Sequence, residues 1–252
     1  QTIDVLQWLG LQWDGPVQYQ SQSVQRTQEV LAQLVHQNRV YHCNLSRKEM
    51  EQVTSAPHAK DAPINHAVRP VDIKLHNEMV GDTPTNWRFI TQDTRQTIHD
   101  ELCGEITFDP DQDFVLWTRA GTPSYQLAVV VDDHYQDITD VIRGNDLLQS
   151  AAWQEQLYDS LDWVKPHWWH VPLVIGEDGN RLAKRHGDSR LATYRSRGVP
   201  VERIVGLIAK WCGLSEQRTQ MSAETFRNLL DVSHLPTKNM VFSKEDEEWL
   251  YA

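Results

Sequence analysis

Two short apolar runs separated by an amphipathic stretch constrain the fold most. Leu127-Ala128-Val129-Val130-Val131 is apolar at every position, and His170-Val171-Pro172-Leu173-Val174-Ile175 is nearly so. A strand covered on both faces in a parallel sheet has this pattern, because helices pack on either side of it. Between the runs, residues 146–161 place Leu147, Leu148, Ala151, Tyr158 and Leu161 on an inward face, with Asn145 or Asp146 as the cap. Strand, helix, strand in that order predicts an α/β fold with right-handed crossovers. Further helices are expected over 22–38, on Val24, Thr27, Leu31, Leu34 and Val35, and over 201–212, after Pro200. Asp4–Leu11 reads as the end of a helix stopped by Gly10. Asp113–Trp117 and the alternating Val71–Leu75 are expected to be short strands.

The chain has 252 residues, enough for one large domain or two modest ones. A hydrophobic fraction of 40% excludes a wholly disordered chain. No apolar run reaches the roughly 18 residues of a membrane-spanning helix, and Gln1–Asp4 lacks the pattern of a signal peptide. The three cysteines form no CxxC pair, which argues against a disulfide framework or a cysteine-rich zinc site. A cytoplasmic protein without a membrane partner is expected. The net charge of −11 disfavours a general coating of nucleic acid. Between Arg181 and Arg218, however, nine Lys or Arg face three acids, an excess of six. Such a segment suits a phosphate-binding face, and suits solvated helix faces equally well.

Open α/β sheets bind ligands beyond the carboxyl ends of their strands. Asp132 and Asp133 follow the first apolar run, Tyr125 precedes it, and Arg143 lies in the polar loop beyond. An arginine beside a tyrosine hydroxyl can receive a carboxylate, since the guanidinium is a planar fork. On spacing alone, a structural pairing of Arg143 with Asp132, Asp133 or Asp140 is the favoured alternative. After the second run, Arg181, Lys184 and Arg185 put three cations within five residues, between Gly179 and Gly187. That loop suits a polyphosphate whose charge grows in a transition state. The absence of GxxxxGK[ST] excludes a P-loop. Trp8, Trp13, Trp117 and Trp153 are expected in the core, and Cys103 and Cys212 as buried thiols. Trp168-Trp169 could flank a nucleoside or simply pack.

The stretch Thr122–Asp133, followed by Ile138-Thr139-Asp140-Val141-Ile142-Arg143-Gly144-Asn145-Asp146-Leu147-Leu148, resembles the catalytic core of bacterial glutamyl-tRNA synthetases. His170–Val174 and Arg181-Leu182-Ala183-Lys184-Arg185-His186-Gly187 continue the resemblance, the latter as the family's KMSKS loop. Trp8–Pro16 and Phe242–Leu250 are similar to flanking segments of the same family. The Pro123–Leu127 wording is most similar to the short branch that lacks an anticodon-binding domain and loads glutamate onto queuosine in the tRNA(Asp) anticodon.

The resemblance implies an α/β, Rossmann-like class I aminoacyl-tRNA synthetase catalytic domain, N-terminally incomplete, over residues 1–175, with an inserted acceptor-binding-type subdomain at about 40–110. Residues 176–252 would hold the KMSKS-like loop and a helical region. It further implies that Tyr125 and Arg143 bind glutamate. Lys184, Leu173 and Val174 would contact ATP, and Lys184, Arg181 and Arg185 would be catalytic. ATP, accompanied by magnesium, glutamate and tRNA are the implied partners of a monomer. The family's HIGH motif has no match here and is expected upstream of Gln1. Of the zinc ligands carried by the short branch only Cys43 is matched, since Leu45 stands at the second position, so no zinc is expected. A fragment of a full glutamyl-tRNA synthetase and a non-catalytic tRNA- or protein-binding module are the alternatives.

Overall fold

The structure is a computed structural model describing residues 2–45, 69–79, 84–92, 94–109, 112–180, 182 and 191–252. The chain divides into two compact units, one of residues 17–142 and 147–169, the other of 1–16, 143–146 and 170–252.

In the first unit, β1 (Val40–Cys43), β2 (Asn86–Phe89), β3 (Gln96–Asp100), β4 (Gly104–Phe108) and β5 (Phe114–Trp117) are short. An antiparallel sheet runs in the order β1-β2-β5, with Val40 opposite Phe89 and Phe89 opposite Phe114. A second sheet has the order β4-β3-β7-β6, where β6 is Asp140–Gly144 and β7 is His167–Val171. In it β3 pairs antiparallel with β4 and parallel with β7. Helices Val24–His36, Tyr125–Tyr135 and Leu148–Leu161 supply much of the core. Leu34, Val40, Phe89, Leu116, Leu127 and Leu157 are wholly buried. Each such side chain contributes about 1.5–3 kcal/mol relative to exposure.

The helices over 22–38, 146–161 and 201–212 form close to the expected bounds, the last as Val201–Trp211. The run Leu127–Val131 does not form a strand but lies inside the Tyr125–Tyr135 helix. Ser124 caps that helix, accepting from the Leu127 N–H, and the buried positions Leu127, Val130 and Val131 follow helical spacing. Val71–Leu75 is likewise no strand. Asp72 accepts from the Leu75 N–H at 2.9 Å and starts the helix Ile73–Glu78. The second run splits: β7 ends at Val171 and β8 (Val174–Gly176) joins β9 (Met240–Phe242) in a separate parallel pair. Pro172 between them has no N–H to continue a ladder. Trp13 is 41% exposed rather than in the core, and Cys103 is exposed on the tight turn joining β3 to β4.

A buried carboxylate organises one end of the β1-β2-β5 sheet. Asp113 accepts from Arg69 Nη2 at 2.6 Å and Nε at 2.7 Å, and from Tyr41 Oη at 3.1 Å. The Thr91 N–H and hydroxyl add bonds of 2.9 and 3.0 Å. Burial and the charge of Asp113 push the Tyr41 phenol far above its ordinary pKa, so it remains a donor.

His42 on β1 stacks on His76 of the 73–78 helix, with centroids 3.8 Å apart. Each ring Nε2 meets the other's backbone carbonyl at 3.0 Å. Burial holds the His42 pKa below its ordinary 6.5. The unfolded chain therefore takes up the proton more readily than the folded one, and the contribution to stability is lost as pH falls through the depressed folded value. The opening equilibrium of Tyr41–Cys43, read from amide exchange after division by the intrinsic exchange rate at each pH, is expected to rise as pH falls from about 7 to about 5. A pH-independent opening equilibrium over that window would contradict it.

The second unit has its own core of Tyr194, Val199, Ile204, Leu207 and Leu250. Its helix Lys244–Tyr251 starts in a capping box between Ser243 and Asp246. The Asp246 carboxylate, 4% exposed, also binds Arg218 at 2.7 Å.

Candidate functional site

Arg143 is the penultimate residue of β6, and not the loop residue expected from the polar sequence around it. Its Nε donates to Nε2 of His170, on the adjacent strand β7, at 3.0 Å. His170 is 1% exposed. An N–H donor aimed at Nε2 requires that nitrogen to carry a lone pair, which assigns the neutral ring with its proton on Nδ1.

The backbone after Arg143 is packed closely. A Cβ on Gly144 would lie 2.6 Å from Asp146 Oδ1 and 2.8 Å from Leu173 Cδ2, so glycine lets both side chains close in. Asn239 ties the cluster together. Its Oδ1 accepts from the Leu173 N–H at 2.9 Å and from Asn145 Nδ2 at 3.2 Å, and the Met240 N–H donates to the Leu173 carbonyl at 2.8 Å. Val174 follows on β8, opposite Met240. Arg143, Leu173 and Val174 thus belong to one unit. Tyr125, half exposed, begins its helix in the other unit.

Arg181, Lys184 and Arg185 lie outside the described residues. The turn leading toward them is described: the Gly176 N–H donates to the Asn180 carbonyl at 2.8 Å, and Gly179 has a φ of +74° that suits glycine. A cavity of about 480 Å³ at this turn is lined by Glu177, Asp178, Leu182, Lys244 and Glu247, among others. Among the described lining residues three carboxylates stand against one ammonium, a set that does not by itself favour phosphate.

Four cations of the 181–218 segment bind the protein itself. Arg195 donates to the Asp4 carbonyl at 2.9 Å, Arg197 to Tyr251 Oη at 3.0 Å, and Arg203 to the Trp249 carbonyl at 3.0 Å. Arg218 is the partner of Asp246. The first three contacts are to neutral oxygens and leave the charge in place, whereas the Arg218 contact is to a carboxylate and offsets one positive charge of the segment.

Cys43 packs with Tyr41, Leu45, Ile73 and Ile90, an apolar setting with no second cysteine among the described residues of that cluster. The two neighbouring histidines are hydrogen-bonded to carbonyls, so the described residues here do not fit a zinc ion. Trp168, 2% exposed, donates its indole N–H to Glu155 at 2.9 Å, which makes it a packing residue. His170 is a buried partner of Arg143 that the residue pattern did not single out. The available signal was a lone polar side chain opening an apolar run, which burial obliges to find a partner.

This architecture belongs to the class I aminoacyl-tRNA synthetases: the family model for "tRNA synthetases class I (E and Q), catalytic domain" matches residues 1–249, and the chain is a member of that family. Among curated relatives, it is 40% identical over 228 residues to the glutamyl-Q tRNA(Asp) synthetase of Rhodopirellula baltica, covering 85% of this chain and 69% of the relative. It is 35% identical to glutamate–tRNA ligase 2 of Parvibaculum lavamentivorans over 92% of this chain and 49% of that protein. The chain spans about half the length of that ligase. The fold matches the crystal structure of a glutamate tRNA ligase from Elizabethkingia meningosepticum with a TM-score of 0.80 at 24% identity, over 99% of this chain and 58% of the other. No helix among the described residues is long and apolar enough to cross a membrane.

Proposed function

We propose that this chain carries the catalytic portion of a cytoplasmic enzyme that activates glutamate with ATP and transfers it to tRNA, with queuosine of tRNA(Asp) as acceptor. The observation that carries the reading is Arg143, held at the end of β6 by a buried histidine within a synthetase fold. The relative from Rhodopirellula baltica supports the choice of acceptor. Arg143 receives a glutamate carboxylate in the planar fork of its guanidinium, and Tyr125 is the second residue assigned to glutamate. Leu173 and Val174 line the ATP site, and residues at about 40–110 engage the acceptor. A glutamate carboxylate oxygen then bonds to the α-phosphorus of ATP as the bond to the β-phosphate oxygen breaks, releasing pyrophosphate and leaving glutamyl-adenylate. Lys184, with Arg181 and Arg185, stabilises charge on the phosphates as it develops. Magnesium entering with ATP would neutralise part of that charge, and among the described residues no group of three or more His, Cys, Asp or Glu side chains is placed to hold a metal ion.

Glutamate-dependent exchange of pyrophosphate into ATP tests the reading. Replacing Lys184 by alanine is expected to slow exchange about a hundredfold, the cost of one transition-state charge partner. A loss under threefold would remove Lys184 from the chemistry. Exchange in the absence of tRNA supports the queuosine-directed reading. Exchange that requires tRNA supports instead a full glutamyl-tRNA synthetase, the reading favoured by the ligase relatives.

A further inference from the structure

We infer that His170 is the positioning residue for the substrate carboxylate: it fixes the plane of the Arg143 guanidinium and does so only as the neutral, Nδ1-protonated imidazole. The inference rests on the proposed role of Arg143 as carboxylate receptor and adds to it the group that sets its geometry. Three observations support it. Arg143 Nε lies 3.0 Å from His170 Nε2, within hydrogen-bond range. His170 is 1% exposed, so water does not substitute for the contact. The two residues sit on adjacent strands, β6 and β7, whose backbones are fixed by the sheet.

The guanidinium is rigid and flat, so fixing Nε fixes the plane in which its N–H groups can meet a carboxylate. A histidine serves where a carboxylate would not. An aspartate or glutamate in the place of His170 would place a negative charge on the guanidinium and compete with the substrate for the same fork. The neutral ring accepts one hydrogen bond and brings no negative charge of its own against the guanidinium. Imidazolium carries a proton on both nitrogens and could not accept from Arg143 at all.

The test uses the full-length protein as its own cells make it, with His170→Phe, His170→Gln and Arg143→Ala compared in pyrophosphate exchange. His170→Phe is expected to raise the KM for glutamate tenfold or more, with kcat and the KM for ATP each within about threefold, since only the carboxylate receptor is loosened. His170→Gln, whose amide oxygen can take the place of Nε2 as acceptor, is expected to restore the glutamate KM to within about threefold of the parent. Equal losses for Phe and Gln would reduce His170 to a packing residue and overturn the inference. So would an unchanged glutamate KM in the Phe variant alongside a raised one in Arg143→Ala. If Arg143→Ala leaves the glutamate KM unchanged, the proposed role of Arg143 falls too. Nitrogen-15 NMR of the unsubstituted protein decides the tautomer without any variant: a bare Nε2 and protonated Nδ1 are expected at neutral pH, and a protonated Nε2 overturns the inference.

Discussion

Replacing Arg143 by alanine is expected to lower kcat/KM for glutamate by between about thirtyfold and a few thousandfold. The range follows from the roughly 2–5 kcal/mol lost when one partner of a hydrogen-bonded charge pair is removed, at 1.4 kcal/mol per factor of ten. Two losses combine in the variant. The substrate carboxylate no longer meets a cation, and the buried Nε2 of His170 no longer has its donor. Arg143→Lys separates them, because it restores a charge without the fork or the Nε donor. It is expected to recover less than a tenth of the lost activity. Steady-state exchange at varied glutamate checks both variants, and a change under threefold for alanine would sink the proposed receptor.

Asp113→Ala is expected to destabilise the first unit by about 3–5 kcal/mol, the usual cost of stranding one half of a buried ion pair. The carboxylate is fully buried beneath Arg69, at 2.6 Å. It also accepts from Tyr41 and twice from Thr91. Alanine leaves the guanidinium, a phenol and a backbone N–H without that acceptor at once. Asp113→Asn keeps one carbonyl oxygen for them and is expected to cost less. Urea unfolding followed by tryptophan fluorescence measures both, and a loss under about 1 kcal/mol for alanine would show that water or relaxation replaces the network.

The helices Val24–His36 and Val201–Trp211 were legible from sequence because each presents apolar residues at three- and four-residue steps over three turns. Leu127–Val131 was not, because five consecutive apolar residues satisfy a buried strand and a buried helix alike. The local features that favour a helix were Ser124 as cap and a pattern continuing to Tyr135, neither of which five residues contain. Val71–Leu75 misled for the same reason, with three apolar positions too few to define a period and Asp72 free to cap.

The chain's own order of residues determined its family membership, the positions of its long amphipathic helices, and the identity of Arg143 and Tyr125 as site candidates. These depend on residue type and short spacing, which a linear chain carries in full. Tertiary structure alone decided that Arg143 stands on a strand against His170, 27 positions away. It alone decided that four cations of the basic segment bind the protein's own carbonyls, hydroxyl and carboxylate. It also decided that Asp113 gathers Tyr41, Arg69 and Thr91. A hydrogen bond is chosen by which groups burial brings within about 3 Å, and separation along the chain says little about that distance once the sheet has formed.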